Sequence, residues 1–254
     1  MEPIEDEKMS LIDHLGELRK RLVRAFIAVG IGFFACYYFK DWLFDIITRP
    51  LTAVLPKNSY LIYTGLTEAF FVYMRLAIFA SLIITSPFVL YQIWKFIAPG
   101  LLDTEKKYVV PFVISSTSLF VGGILFGYFV ALPPAFEFFV SFNNKYLQAM
   151  ISFSDYLSLF VTFLLGFGIS FELPVFMFFL AKLGIVNAKM LSKQRRYAIL
   201  VIFIVAAILT PSPDALSQVL MAIPLVFLYE VSIFVAKFVE KNKVAAKIQE
   251  EKNI

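Results

Sequence analysis

The stretch Leu157 to Ala181 carries a single charge, Glu172, about ten residues before the next one, Lys182. At ~1.5 Å of rise per helical residue, that carboxylate lies roughly 15 Å from a membrane surface, near the middle of a bilayer. A charge at such depth costs at least ~2.5 kcal/mol on insertion scales, so it is as a rule shielded by protein or water and often functional. A chain that keeps this run together must fold in lipid and bring its own shelter for one ionisable group.

Composition agrees with that solvent. Hydrophobic residues make up 60% of the 254 and the mean hydropathy is +0.79, above the ~45–50% apolar content of soluble domains. No interval between apolar runs is long enough for a separate soluble core, so one integral domain is expected over 1–254. It divides into a cytoplasmic segment with an amphipathic helix (1–21), a bundle (22–236) and a cytoplasmic tail (237–254). The acidic start differs from the basic start of a cleavable signal, and the first apolar run exceeds a typical signal core, so the first span is expected to be retained.

Six predominantly apolar segments can be marked: 22–44, 69–94, 108–132, 157–181, 197–209 and 218–236. Helices are the open-chain way to satisfy a backbone in hydrocarbon, which predicts an all-α polytopic membrane protein with six transmembrane helices. The fifth and sixth segments read as a short hairpin around the paired prolines of Thr210 to Asp214. Pro87, Pro174 and Pro224 each remove a backbone donor inside a span and predict a kinked, concave bundle.

Basic residues set the orientation. Lys8, Arg19, Lys20, Arg21 and Arg24, then Lys95, Lys106 and Lys107, then Lys182, Lys189, Lys193, Arg195 and Arg196, then Lys237, Lys241, Lys243, Lys247 and Lys252 fall on one side. The other side has Lys40, Arg49, Lys57 and Lys145, so both termini are expected in the cytoplasm. Arg75, early in the second span, is expected to snorkel outward.

Ser10 to Arg24 reads as a helix that begins before the membrane, with Ser10 as N-cap and Asp13 three positions on. Leu11, Leu15, Leu18 and Leu22 share one face; His14, Glu17 and Arg21 share another, with Glu17 and Arg21 in the favourable i, i+4 order. An interfacial anchor would look the same. After Trp94, Phe96 and nearby apolar residues precede Asp103, Glu105, Lys106 and Lys107, a mixture that suits either a peptide-binding surface or an interfacial belt. His14 is the sole histidine and Cys36 the sole cysteine, so neither a multi-histidine metal site nor a disulfide framework is available. No serine or cysteine stands in a nucleophile motif, and neither an enzymatic reaction nor a cofactor is expected.

Five blocks carry more than periodicity does: SLIDHLGELRKRL (Ser10 to Leu22), SPFVLYQIWKFIAPGL (Ser86 to Leu101), FGISFELP (Phe167 to Pro174), LTPSPD (Leu209 to Asp214) and SQVLMAIPL (Ser217 to Leu225). In content and order they resemble the TatC family. The resemblance implies the signal-peptide receptor and core subunit of the twin-arginine translocase, which exports folded proteins across a membrane using the proton-motive force. It implies twin-arginine signal peptides and TatA- and TatB-type single-span subunits as partners, with self-association, the lipid bilayer as surroundings and no nucleic acid. The bacterial inner membrane is the expected location. The family's signal-peptide site falls on Glu17, Leu18, Arg19, Phe96 and Glu105, where carboxylates suit paired guanidinium groups because arginine–carboxylate bonds are charge-assisted and can be bidentate. Further functional positions fall on Pro50, Glu172, Asp214, Gln218 and Glu230.

Within that resemblance Glu172 has two readings: it bonds a partner's helix admitted by small residues such as Gly168, or it holds water in a cavity. The competing reading from another class is a proton- or cation-coupled secondary transporter that uses Glu172.

Overall fold

A computed structural model describes residues 11–56, 60–97, 109–144, 150–210 and 215–252. Ten α-helices follow in order among them: α1 Leu11–Tyr38, α2 Lys40–Thr52, α3 Glu68–Ile97, α4 Val109–Phe126, α5 Leu132–Val140, α6 Phe153–Ser170, α7 Leu173–Leu183, α8 Ala188–Lys193, α9 Arg195–Leu209 and α10 Ala215–Lys252. A π-helical turn, Gly127–Ala131, joins α4 to α5. Five stretches are long and apolar enough to cross a membrane: Ile12–Tyr38, Glu68–Ile97, Val109–Val140, Phe153–Leu183 and Ser217–Asn242. The 15 residues of α9 give roughly 22 Å, short of a ~30 Å hydrocarbon core, as the fifth apolar segment foretold.

Two boundaries differ from the sequence reading. The first apolar segment does not run on to Phe44: α1 ends at Tyr38 and α2 starts at Lys40. Asp41, Asp45 and Arg49 give α2 a polar side, while Ile47, Thr48, Pro50 and Leu51 are buried. The sixth segment is not short, because α10 continues through the charged tail for 38 residues in all. Alternating charges leave that tail free to extend the helix once it clears the apolar run.

The prolines are accommodated in different ways. Pro87 lies within α3 and removes the donor that the Ile83 carbonyl needs. The Ser86 hydroxyl supplies the replacement at 2.7 Å, so α3 passes through without a break. Pro174 falls just after a break between α6 and α7, in the first turn of α7, where its missing donor does not matter. Gly184 ends α7 in the left-handed region at φ 78°, with its N–H on the Ala181 carbonyl and that of Ile185 on Leu180.

At the opposite end of α3, Glu68 works as a clasp. Its Oε2 accepts from the backbone N–H of Thr64 at 2.6 Å and of Gly65 at 3.1 Å, and its Oε1 from the Ser152 hydroxyl at 2.9 Å. Two backbone bonds run alongside, Ile62 N–H to the Ile151 carbonyl and Phe153 N–H to the Ile62 carbonyl. The segments before α3 and before α6 are thereby held together.

The core centres on α6. Leu157, Phe160, Leu164 and Phe167 are fully buried among residues of α2, α3, α5 and α10. Closest approach is to α4: a Cβ added at Gly123 would stand 2.7 Å from the Phe167 carbonyl, and one at Gly168 2.9 Å from the Phe120 ring. Glycine at both positions lets the two backbones meet, the usual device of helix packing in lipid.

Candidate functional site

The last turn of α3 meets the first turns of α1. Phe96 stacks on His14 with ring centroids 4.3 Å apart and planes 20° from parallel. Glu17 follows His14 by three residues and therefore continues the same face. Its Oε1 takes both contacts from Arg21, one at 3.0 Å from Nε and the other from Nη2. A second guanidinium arriving at this face would find Oε2. Leu18 and Arg19 are exposed beside it. Glu105 and Asp214 lie outside the described residues.

Arg21 is more than a surface partner for Glu17. It is 9% exposed, and its Nη1 is buried without a hydrogen-bond partner among the described residues; the same holds for Oε1 of buried Gln92 on α3. The antiparallel α1–α3 pair is close-packed further along, where a Cβ at Gly32 would stand 2.9 Å from Thr85 Cγ2 and 3.3 Å from Ser81 Cβ. Arg75, by contrast, is exposed.

Glu172 sits at the break between α6 and α7, where its own carbonyl already accepts from the Phe176 N–H at 2.9 Å. Its Oε1 is buried and unpartnered among the described residues. Ser116 is fully buried and accepts from the indole N–H of Trp94 at 2.9 Å. Trp94 is itself packed between Phe112, stacked at 4.9 Å, and Phe179, edge-on at 5.4 Å. Gly168, expected to admit a partner's helix, is instead covered by the chain's own α4 through Phe120 and Ile124.

Pro50 is buried inside α2. Its missing N–H frees the Ile46 carbonyl, and the Tyr128 hydroxyl fills the place at 2.8 Å from the π-helical turn. The Tyr156 hydroxyl of α6 donates to the neighbouring Ile47 carbonyl. Two tyrosines thus fasten α2 to the bundle at a proline, and neither stood out in the sequence. The only signal was the proline itself, which announces an unpaired carbonyl four residues earlier.

Gln218 and Glu230 tie α10 to α9. Gln218 Nε2 donates to the Phe203 carbonyl at 2.9 Å, and Glu230 pairs with Arg195 at 2.8 Å on an exposed surface. Glu240 and Tyr229 hold α8, the first accepting from the Ala188 N–H at 2.7 Å and the second donating to the Leu191 carbonyl at 2.9 Å. A groove of about 480 Å³ lies beside them, lined chiefly by apolar residues of α6, α7, α9 and α10.

A multispanning helical membrane protein with a carboxylate-and-aromatic face at one end and a sheltered carboxylate within is the class these features define. The description "Sec-independent protein translocase protein (TatC)" matches residues 13–224, and the chain belongs to the TatC family. The Sec-independent protein translocase protein TatC of Desulforapulum autotrophicum is 47% identical over 239 residues, covering 94% of this chain and 88% of that protein. Its counterpart from Carboxydothermus hydrogenoformans is 42% identical over 94% of this chain and 98% of that protein. A crystal structure of the twin arginine translocase receptor TatC superposes with a TM-score of 0.80 at 38% identity, covering 89% of this chain and 99% of that one.

Proposed function

We propose that this protein is the signal-peptide receptor and core subunit of a twin-arginine translocase, moving folded proteins across a bacterial cytoplasmic membrane under the proton-motive force. Both termini face the cytoplasm, one integral domain spans the membrane six times with α9 as the short span, and TatA- and TatB-type single-span subunits complete the assembly. The observation that carries this reading is the face made by Glu17, His14 and Phe96 at one end of the α1–α3 pair. An aromatic platform beside a carboxylate with one oxygen unengaged by Arg21 suits a peptide bearing a guanidinium pair followed by apolar residues. Leu18 and Arg19 flank the peptide, and Glu105 supplies a second carboxylate.

The experiment is binding of the purified full chain to a signal peptide with paired arginines against the same peptide with paired lysines. Selective binding of the arginine peptide, weakened by Glu17→Ala and Glu105→Ala, supports the receptor role; equal affinity for the two peptides overturns it. Proton or solute flux in vesicles holding this protein alone, abolished by Glu172→Gln, would instead establish a transporter.

A further inference from the structure

Helix α1 buries almost nothing of itself, and one exception is a cation. Of its described residues only Arg21 and Cys36 are buried, while Arg19, Lys20 and Arg24 around the same turn stand exposed. The seam with α3 is pinned at both ends, by the His14–Phe96 stack and by the close crossing of Gly32 on Ser81 and Thr85. Gly32 lies about five turns after His14 and Arg21 about two, so all three share one line along α1. On α3, Gln92 lies about three turns after Ser81 and about one before Phe96, and shares the opposing line. Arg21 is ~10 Å in from the stack and Gln92 ~6 Å. In an antiparallel pair each side chain leans toward its own N-terminus, Arg21 outward and Gln92 inward, which brings the two heads to one level of the seam.

Each head lacks what the other could supply. Arg21 puts Nε and Nη2 on the Oε1 of Glu17, which leaves Nη1 a buried donor without an acceptor among the described residues. Gln92 is 5% exposed, and its Oε1 is a buried acceptor without a donor. Each orphan is costly, and an ion pair kept only for structure has no use for the acceptor across the seam. A guanidinium fork engages both oxygens of a carboxylate, and Arg21 already holds one of those on Glu17.

We propose that Arg21 is a resident occupant of the Glu17 carboxylate and that Gln92 Oε1 is its second berth, so that a guanidinium arriving from outside takes Glu17 as Arg21 crosses to Gln92. The chain's own arginine competes with the incoming one, and Gln92 lowers the cost of displacing it. Use of this exchange by a signal peptide rests on the receptor function proposed above; the exchange itself does not.

The exchange is read first without peptide, in thermal unfolding of the full chain in detergent. With Glu17 present, Gln92→Leu replaces an unused buried acceptor by an apolar group and should leave the midpoint unchanged or raise it. In the Glu17→Ala background Arg21 depends on Gln92, and the same substitution should lower the midpoint by about 2–4 °C. An equal response in the two backgrounds overturns the exchange. Calorimetry with the paired-arginine peptide then reads its use. Arg21→Met should raise affinity about tenfold because the competitor is gone, whereas removing an arginine that only orients Glu17 would lower it. Arg21→Gln, which keeps a polar group in the seam, is the second variant and should act in the same direction. Gln92→Leu should lower affinity about fivefold, and less than about twofold in the Arg21→Met background. An affinity lowered or unmoved by both Arg21 variants, or a Gln92→Leu loss that persists in the Arg21→Met background, overturns the competition. Absence of binding by the unsubstituted protein counts against the receptor reading alone, since the unfolding cycle still decides the exchange.

Discussion

Two spans of similar length are built on different terms. Half of the apolar window in Phe153–Leu183 is buried within the protein, against 6% of the window in Ile12–Tyr38. In water α1 would not stay folded on such terms, but lipid accepts Phe26, Ile27, Ile31 and Phe34 without cost, and the backbone bonds of a helix need no help there. The central span is therefore fixed by packing against several helices, and α1 by a long pairing along one neighbour, α3. The candidate residues are divided accordingly: Glu172 is held at the packed centre, whereas Glu17 and the His14–Phe96 stack sit on a helix that packs against a single neighbour and faces lipid elsewhere. In the receptor proposed above, the face at the end of α1 is open on the sides that α3 does not cover, and the partly buried carboxylate gains from the packing.

The sharpest way to break that comparison is to enlarge one glycine packed against the central span and one on the uncovered side of α1. Gly123→Leu drives a side chain into the Phe167 carbonyl and the Gly168 backbone, neither of which can turn aside. We expect a loss of ~3 kcal/mol or more, seen as collapse of the thermal unfolding transition in detergent. Gly30→Leu on α1 has nothing within 4 Å to meet and should leave the transition in place. If the two substitutions cost the same, the division between packed and tethered spans is wrong.

A second test concerns how the packed half holds α2. Tyr128→Phe leaves the Ile46 carbonyl without a donor, at a cost of ~1–3 kcal/mol, whereas Tyr156→Phe removes a second bond from the Ile47 carbonyl, which keeps its helical position opposite the Leu51 N–H, at ~1 kcal/mol. Pro50→Ala returns an N–H to the Ile46 carbonyl, so it should offset part of the Tyr128→Phe loss and none of the Tyr156→Phe loss. Additive costs in the cycle of Pro50→Ala with Tyr128→Phe would remove this account of the proline.

What the sequence made legible follows the same division. Apolar runs located the spans, and the brevity of α9 followed from counting, because lipid thickness is a length that residues must match. Family motifs marked Glu17, Phe96, Glu172 and Pro50. The break at Phe39 was hidden, since α1 and the start of α2 form one continuous apolar-rich reading, and the unbroken α10 was hidden by a change from apolar to charged residues that alters solvent without altering the helix. Ser116, Tyr128 and Tyr156 were invisible for another reason: their partners are the indole of Trp94 and the carbonyls of Ile46 and Ile47, far away in sequence, and only the packed register brings them together. The His14–Phe96 stack was hidden in the same way, because Phe96 reaches His14 from another helix.

On the tethered side, effects on stability shrink while effects on binding persist. Glu17→Gln removes the charge that Arg21 uses; the two side chains are only 23% and 10% exposed, so the cost should be about 1 kcal/mol, above the few tenths of an exposed i, i+4 pair and well below that of Gly123→Leu. Affinity for the paired-arginine peptide should fall about tenfold, the loss of one charge-assisted bond. A large fall in unfolding temperature with affinity unchanged would make Glu17 a structural partner of Arg21 and nothing more.

The smallest effect expected is at the exposed pair of Glu230 and Arg195. Both side chains are close to half exposed, and screening holds such a bridge to about 0.5 kcal/mol or less. Glu230→Gln should therefore leave the unfolding transition where it is, at low and at moderate salt alike. The neighbouring tie is of another kind: Gln218 reaches the Phe203 carbonyl with a neutral amide that salt does not screen, so Gln218→Ala should cost about 1 kcal/mol at any ionic strength. If Glu230→Gln destabilises the protein as much as Gln218→Ala and the loss fades with salt, the charge pair joins α9 to α10, and this end of the molecule belongs with the packed half after all.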